Sequence, residues 1–104
     1  MTTTVDVLAL EELSPERGRF FRAGGCEIAL FRRGDQVFAI DDSCPHSGAS
    51  LAGGQFDGRH VKCRAHGLRF DVATGCMAGG IDGLKARTYP VQIVDGRIHV
   101  TVGV

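Results

Sequence analysis

The sequence predicts an all-β chain: an antiparallel β-sandwich base interrupted by a small glycine-rich lobe. Three observations carry this. Short segments alternate apolar and polar residues, and none sustains a helical period. Gly34-Asp35 and Asp95-Gly96 sit between such segments, where two-residue turns close hairpins. Glycine makes up 15 of 104 residues and falls mostly between residues 48 and 83, so the chain must turn tightly there.

Taken in order, Val5 to Leu10 starts a first strand, and Ser14-Pro15-Glu16 with Gly18 makes a turn. Arg19 to Arg22 is a second strand, ended by Gly24-Gly25. Cys26 to Arg33 alternates, with Ile28 and Leu30 on one face and Ala29 and Phe31 on the other, and Gln36 to Ile40 returns antiparallel. Pro90 to Val94, the Asp95-Gly96 turn and Arg97 to Val102 form a closing hairpin. One domain over 1–104 is expected, with the base at about 1–42 and 88–104 and the inserted lobe at about 43–87.

Composition narrows the function. At this length there is room for one core. The 12 basic and 12 acidic side chains cancel with no basic block, so neither nucleic acid nor an anionic membrane is an expected partner. No segment is long and apolar enough to span a bilayer, and Met1 to Asp6 lacks the features of a signal peptide, which predicts a cytoplasmic location. In that reducing compartment the four cysteines read as metal ligands or buried thiols rather than as disulfides.

The chemistry lies in Cys44-Pro45-His46 and Cys63-Arg64-Ala65-His66, which give Cys-x-His, sixteen intervening residues, then Cys-x-x-His. Each stretch offers one thiolate and one imidazole. A structural zinc site can use the same four ligands, although zinc ribbons more usually show Cys-x-x-Cys knuckles. A mixed-ligand [2Fe–2S] centre needs two thiolates on one iron and two imidazoles on the other. Each loop would then send its Cys to one iron and its His to the other. Cys26 reads as a small buried thiol and Cys76 as a non-ligand thiol, while His60 and His99 match no ligand spacing and His99 is expected to face solvent on an edge or outer strand.

The flanking residues extend the pattern. Cys44-Pro45-His46-Ser47-Gly48-Ala49-Ser50-Leu51 with Gly53-Gly54 resembles the first cluster loop of Rieske-type ferredoxins, and Val61-Lys62-Cys63-Arg64-Ala65-His66-Gly67 with Phe70-Asp71 and Thr74-Gly75 resembles the second. The resemblance implies one [2Fe–2S] cluster, bound by Cys44 and Cys63 on the inner iron and His46 and His66 on the outer. It also implies a Rieske-like layout in which Gly58 to Cys63 and Leu68 to Val72 pair as a hairpin with the second loop at its tip. Gly48 and Gly67 are expected to bring N–H groups toward the cluster sulfurs. Pro45 is expected to stiffen the first loop. Gly79-Gly80-Ile81-Asp82-Gly83 stands where relatives carry a proline-containing loop over the cluster, and Arg64-Ala65 stands where a proline is more usual.

Two differences from the respiratory-chain members refine the expectation. Their extra cysteine pair matches Ala49 and Ala65 here, and their hydroxyl donors match Leu68 and Phe70. The likeness is therefore to low-potential ferredoxins of bacterial aromatic-ring-hydroxylating dioxygenase systems. It implies a soluble one-electron carrier with no catalytic residue of its own, passing electrons from a flavoprotein reductase to a terminal oxygenase. The alternative is a small subunit docked in an assimilatory nitrite reductase-like complex. With formal charge balanced, contact near the tip is expected to rely on Ala49, Leu51, Ala65 and Ile81.

Overall fold

A computed structural model describes residues 2–45, 48–64, 67–78 and 85–103. Ten strands follow in chain order: β1 (Thr2–Ala9), β2 (Arg19–Ala23), β3 (Cys26–Arg33), β4 (Gln36–Asp41), β5 (Gln55–Phe56), β6 (His60–Lys62), β7 (Arg69–Asp71), β8 (Thr88–Tyr89), β9 (Val91–Val94) and β10 (Arg97–Gly103). The helical element among the described residues is a single 3-10 turn, Leu10–Glu12. Every strand pairing is antiparallel, in three sheets ordered β1-β10-β9, β2-β3-β4-β8 and β5-β6-β7. No helix among the described residues is long and apolar enough to cross a membrane.

The alternation in β3 explains how the sheets stack. Ile28 and Leu30 point into one apolar cluster with Ile98, Val100 and Val102 of β10. Ala29 and Phe31 point the opposite way, into a second cluster with Val61, Phe70, Leu51 and both Cys44 and Cys63. A strand buried on both faces reads as a nearly continuous apolar run, and this one does: Ile28 to Phe31 are all fully buried. The β2-β3-β4-β8 sheet is thus the middle layer, with the β1-β10-β9 sheet on one side and the β5-β6-β7 lobe on the other.

Turn chemistry matches its geometry. Asp95 and Gly96 take φ of 50° and 74°, the paired positive values of a type I′ hairpin between β9 and β10. The lobe leaves the middle sheet after β4 and rejoins it in β8, which pairs with β4 through Ala39↔Tyr89 and Ile40↔Thr88. The Asp41 N–H donates to the Arg87 carbonyl at 2.8 Å and closes this stem. His99 lies in β10, the central strand of its sheet, and is half-buried on the outer face rather than at an edge.

Candidate metal centre

The two loops that carry the Cys/His pairs share one backbone design. In the first, the Cys44 N–H donates to the Ala49 carbonyl (2.8 Å), and the Gly48 N–H donates back to the Cys44 carbonyl (2.8 Å). In the second, the Cys63 N–H donates to the Leu68 carbonyl (2.6 Å), and the Gly67 N–H donates to the Cys63 carbonyl (2.9 Å). The glycines sit at φ of 77° and 72°, a region that a Cβ would strain. The Gly48 and Gly67 N–H groups bond to the cysteine carbonyls of their own loops. Their positive φ closes the loops.

β6 and β7 pair as His60↔Asp71, Val61↔Phe70 and Lys62↔Arg69, so Cys63 follows the end of β6 at the mouth of a hairpin. Cys44 follows the end of β4, and a bridge between Ser43 and Ser50 closes the base of its loop. Both thiols are buried, Cys44 at 2% and Cys63 at 1% exposure, and both belong to one apolar cluster. Neither is in a disulfide. Cys26 is half-buried and Cys76 is exposed, so neither shares this setting. His46 and His66 lie outside the described residues, as do Ala65 and the 79–84 segment. Among the described residues no three potential metal ligands gather.

The donor set suits the group that the sequence implies. Two shielded thiols stand at the same step of twin loops, and each loop carries an imidazole two or three residues further on. Soft thiolates held out of water suit iron–sulfide chemistry. Apolar walls come from Leu51 and Phe70, both fully buried, and from half-buried Leu68. Leu51 therefore belongs to the core beneath the loop and is not a docking contact. It is an anchor.

Asp42 is a supporting residue that the sequence reading missed. It is the buried charged side chain among the described residues, at 7% exposure. Its Oδ1 accepts from the Ser50 hydroxyl (2.8 Å) and from the Ala52 N–H (2.8 Å). Its carbonyl accepts from the Leu51 N–H (2.6 Å), and its own N–H donates to the Glu27 carbonyl of β3 (2.9 Å). One residue thus ties the descending limb of the first loop to the middle sheet. The available signal was an Asp-Asp pair ending an apolar strand, which does not specify a partner eight residues away.

Carboxylates also fix the hairpin under the second loop. The Asp57 Oδ1 accepts the N–H groups of His60 (2.7 Å) and Arg59 (2.9 Å), and its Oδ2 meets Arg69 at 3.1 Å. These backbone bonds, aided by the Arg69 charge, hold its carboxyl down to about 2. Burial pushes Asp71 upward. The Ala73 N–H, the Arg59 side chain and the Thr74 N–H outweigh it and leave the group below its ordinary value. Beside the loop, Gly53, Gln55, Lys62, Cys63, Arg64 and Gly67 line an open cleft of about 500 Å³.

Comparison with known proteins places these features in a family. A model described as the Rieske [2Fe-2S] domain matches residues 3–90. The anthranilate 1,2-dioxygenase ferredoxin subunit of Burkholderia cepacia is 36% identical over 95 residues, covering 91% of this chain and 88% of that one. A chain in the complex of reduced oxygenase and oxidized ferredoxin in carbazole 1,9a-dioxygenase aligns with a TM-score of 0.84 at 33% identity, over 92% of this chain and 99% of that one. The structure of a putative NADH-dependent nitrite reductase small subunit from Mycobacterium tuberculosis aligns with a TM-score of 0.88 at 27% identity, over 100% and 98% of the two chains.

Proposed function

The chain belongs to the Rieske [2Fe-2S] domain family, and on that footing we propose that it is a soluble one-electron carrier to a terminal Rieske-type oxygenase. One [2Fe–2S] cluster is the redox group of this family, and it supplies reversible uptake of a single electron. The observation that carries the reading is the pair of twin loops presenting Cys44 and Cys63 as buried thiols within a chain that matches ferredoxin components over most of its length. Cys44, Cys63, His46 and His66 would hold the cluster, the two thiolates on one iron and the two imidazoles on the other. The residues around the loops then have three tasks: to shield the thiolates (Leu51, Leu68, Phe70), to brace the first loop (Asp42) and to keep the second loop on a short hairpin (Asp57, Asp71). The chain carries no catalytic residue.

The electron donor is a flavoprotein reductase, and the location is the cytoplasm. Reconstitution tests the function. The purified chain should accept one electron from a flavoprotein reductase and deliver it to a terminal oxygenase, with product formed only when all three are present. The second reading, a fixed subunit of a nitrite reductase-like complex, has the mycobacterial small-subunit structure in its support, at lower identity than the ferredoxin subunit. Copurification in a stable complex with a siroheme-bearing large subunit would favour it over the carrier.

A further inference from the structure

The formal charge of zero conceals a separation of charge along the stacking direction. The outer sheet with its adjoining segments, residues 1–13 and 91–104, carries four acidic side chains and one basic, a deficit of three. The middle layer, residues 14–42 and 88–90, carries five of each. The lobe, residues 43–87, carries six basic and three acidic side chains in its sequence; the Arg87 guanidinium lies against Gly103 of β10, so the surplus on the loop-bearing side is two. The molecule is electrically polar, and its positive layer is the one that bears both ligand loops.

Within that layer the cations are not equivalent. Arg59 pairs with Asp71 at 3.2 Å and Arg69 with Asp57 at 3.1 Å, so these neutralise one another locally. Lys62 and Arg64 are exposed and pair with no carboxylate among the described residues. Alternation out of β6 sets their place: Val61 and Cys63 point into the core, and Lys62 and Arg64 point out on either side of Cys63. Both line the cleft beside that cysteine. The Arg64 guanidinium reaches across to the first loop's descending limb, where a Cβ on Gly53 would lie 3.2 Å from its Nη1.

We propose that the loop-bearing face docks on acidic protein surfaces, with Lys62 and Arg64 as its contact cations. The partner of matching chemistry is a redox protein whose own centre is ringed by Asp and Glu side chains. This rests on the electron-carrier reading and adds the charge sign of the partner. Net charge alone would give weak steering; the layered distribution instead orients the chain, positive face first, within a Debye length of about 8 Å at physiological salt. Such steering acts mainly on the association rate and fades as salt rises.

Two measurements test this without an identified partner. A carboxylate resin at the isoelectric pH near 6.9 stands in for the acidic surface and needs no cluster. Lys62→Gln, Arg64→Gln and Gln92→Glu each change net charge by one in the same direction, but Gln92 is exposed on the opposite outer sheet. The first two should elute markedly earlier than the parent and the third nearly with it. The second measurement follows one-electron oxidation of the reduced protein by hexacyanoferrate(III), an anion, and by hexaammineruthenium(III), a cation. The anion's rate should fall with added salt and the cation's should rise. Lys62→Gln and Arg64→Gln should each slow the anion at low salt by about three- to tenfold. Purified protein without iron would overturn the carrier reading and the proposal with it. Red-brown protein whose rates ignore salt and whose three variants elute alike would overturn the docking proposal alone.

Discussion

The Asp42 carboxylate and the Ser50 hydroxyl, 2.8 Å apart, join the end of a middle-sheet strand to the descending limb of the first ligand loop. The same oxygen takes the Ala52 N–H. Asp42→Ala would leave both donors in a half-buried site without their acceptor, a loss of about 1–3 kcal/mol. For a domain of this size that lowers Tm by roughly 4–8 °C per kcal/mol. Asp42→Asn keeps an acceptor oxygen and should cost less. Thermal unfolding of both variants beside the parent checks the order.

Tyr89 gives a pH signature. It is the chain's one tyrosine, and no tryptophan is present. Burial, the hydrogen bond that its hydroxyl donates to Asp41, and nearby Cys26 raise its pKa far above the ordinary 10.0. The folded chain therefore keeps this proton where the unfolded chain releases it. Stability from the group is fully present below pH 10 and is lost as pH rises beyond it. Absorbance near 295 nm, taken as a difference from Tyr89→Phe, should show no tyrosinate in the folded protein at pH values where denatured protein is fully ionised.

Potential should follow from the walls of the site. Leu68 and Phe70 offer no hydroxyl to the cluster sulfurs, and Phe70 is fully buried. Fewer hydrogen bonds leave an added electron less stabilised, so the potential should fall near the bottom of the roughly −150 to +300 mV range of Rieske centres. Half-buried Leu68 has more room for change. Leu68→Ser should raise the potential measured by protein-film voltammetry, and an unchanged or lower value would count against this origin.

Local pattern made much of the fold legible. The β3 alternation separates residues into two clusters, as its sequence implied, because the strand's period of two is intrinsic to the backbone. Asp95-Gly96 forms its turn because few other dipeptides accept two positive φ values. What escaped depends on segments far apart in the chain. Asp42 finds its partners eight and ten residues on, and Leu51 is buried because the lobe folds over the middle sheet. The charge polarity appears only once it is known which segments share a layer. A sum over the whole chain erases it.

Cys44 and Cys63 hold equivalent places in twin loops, where the proposed function has both binding one iron of a [2Fe–2S] cluster while His46 and His66 bind the other. Quantifying iron, acid-labile sulfide and zinc in the purified protein, together with nitrogen hyperfine couplings in its reduced state, tests this most directly. Two irons and two sulfides per chain, with couplings from two imidazoles that disappear in His46→Ala and His66→Ala variants, are the predicted result. One zinc per chain with no acid-labile sulfide would contradict it.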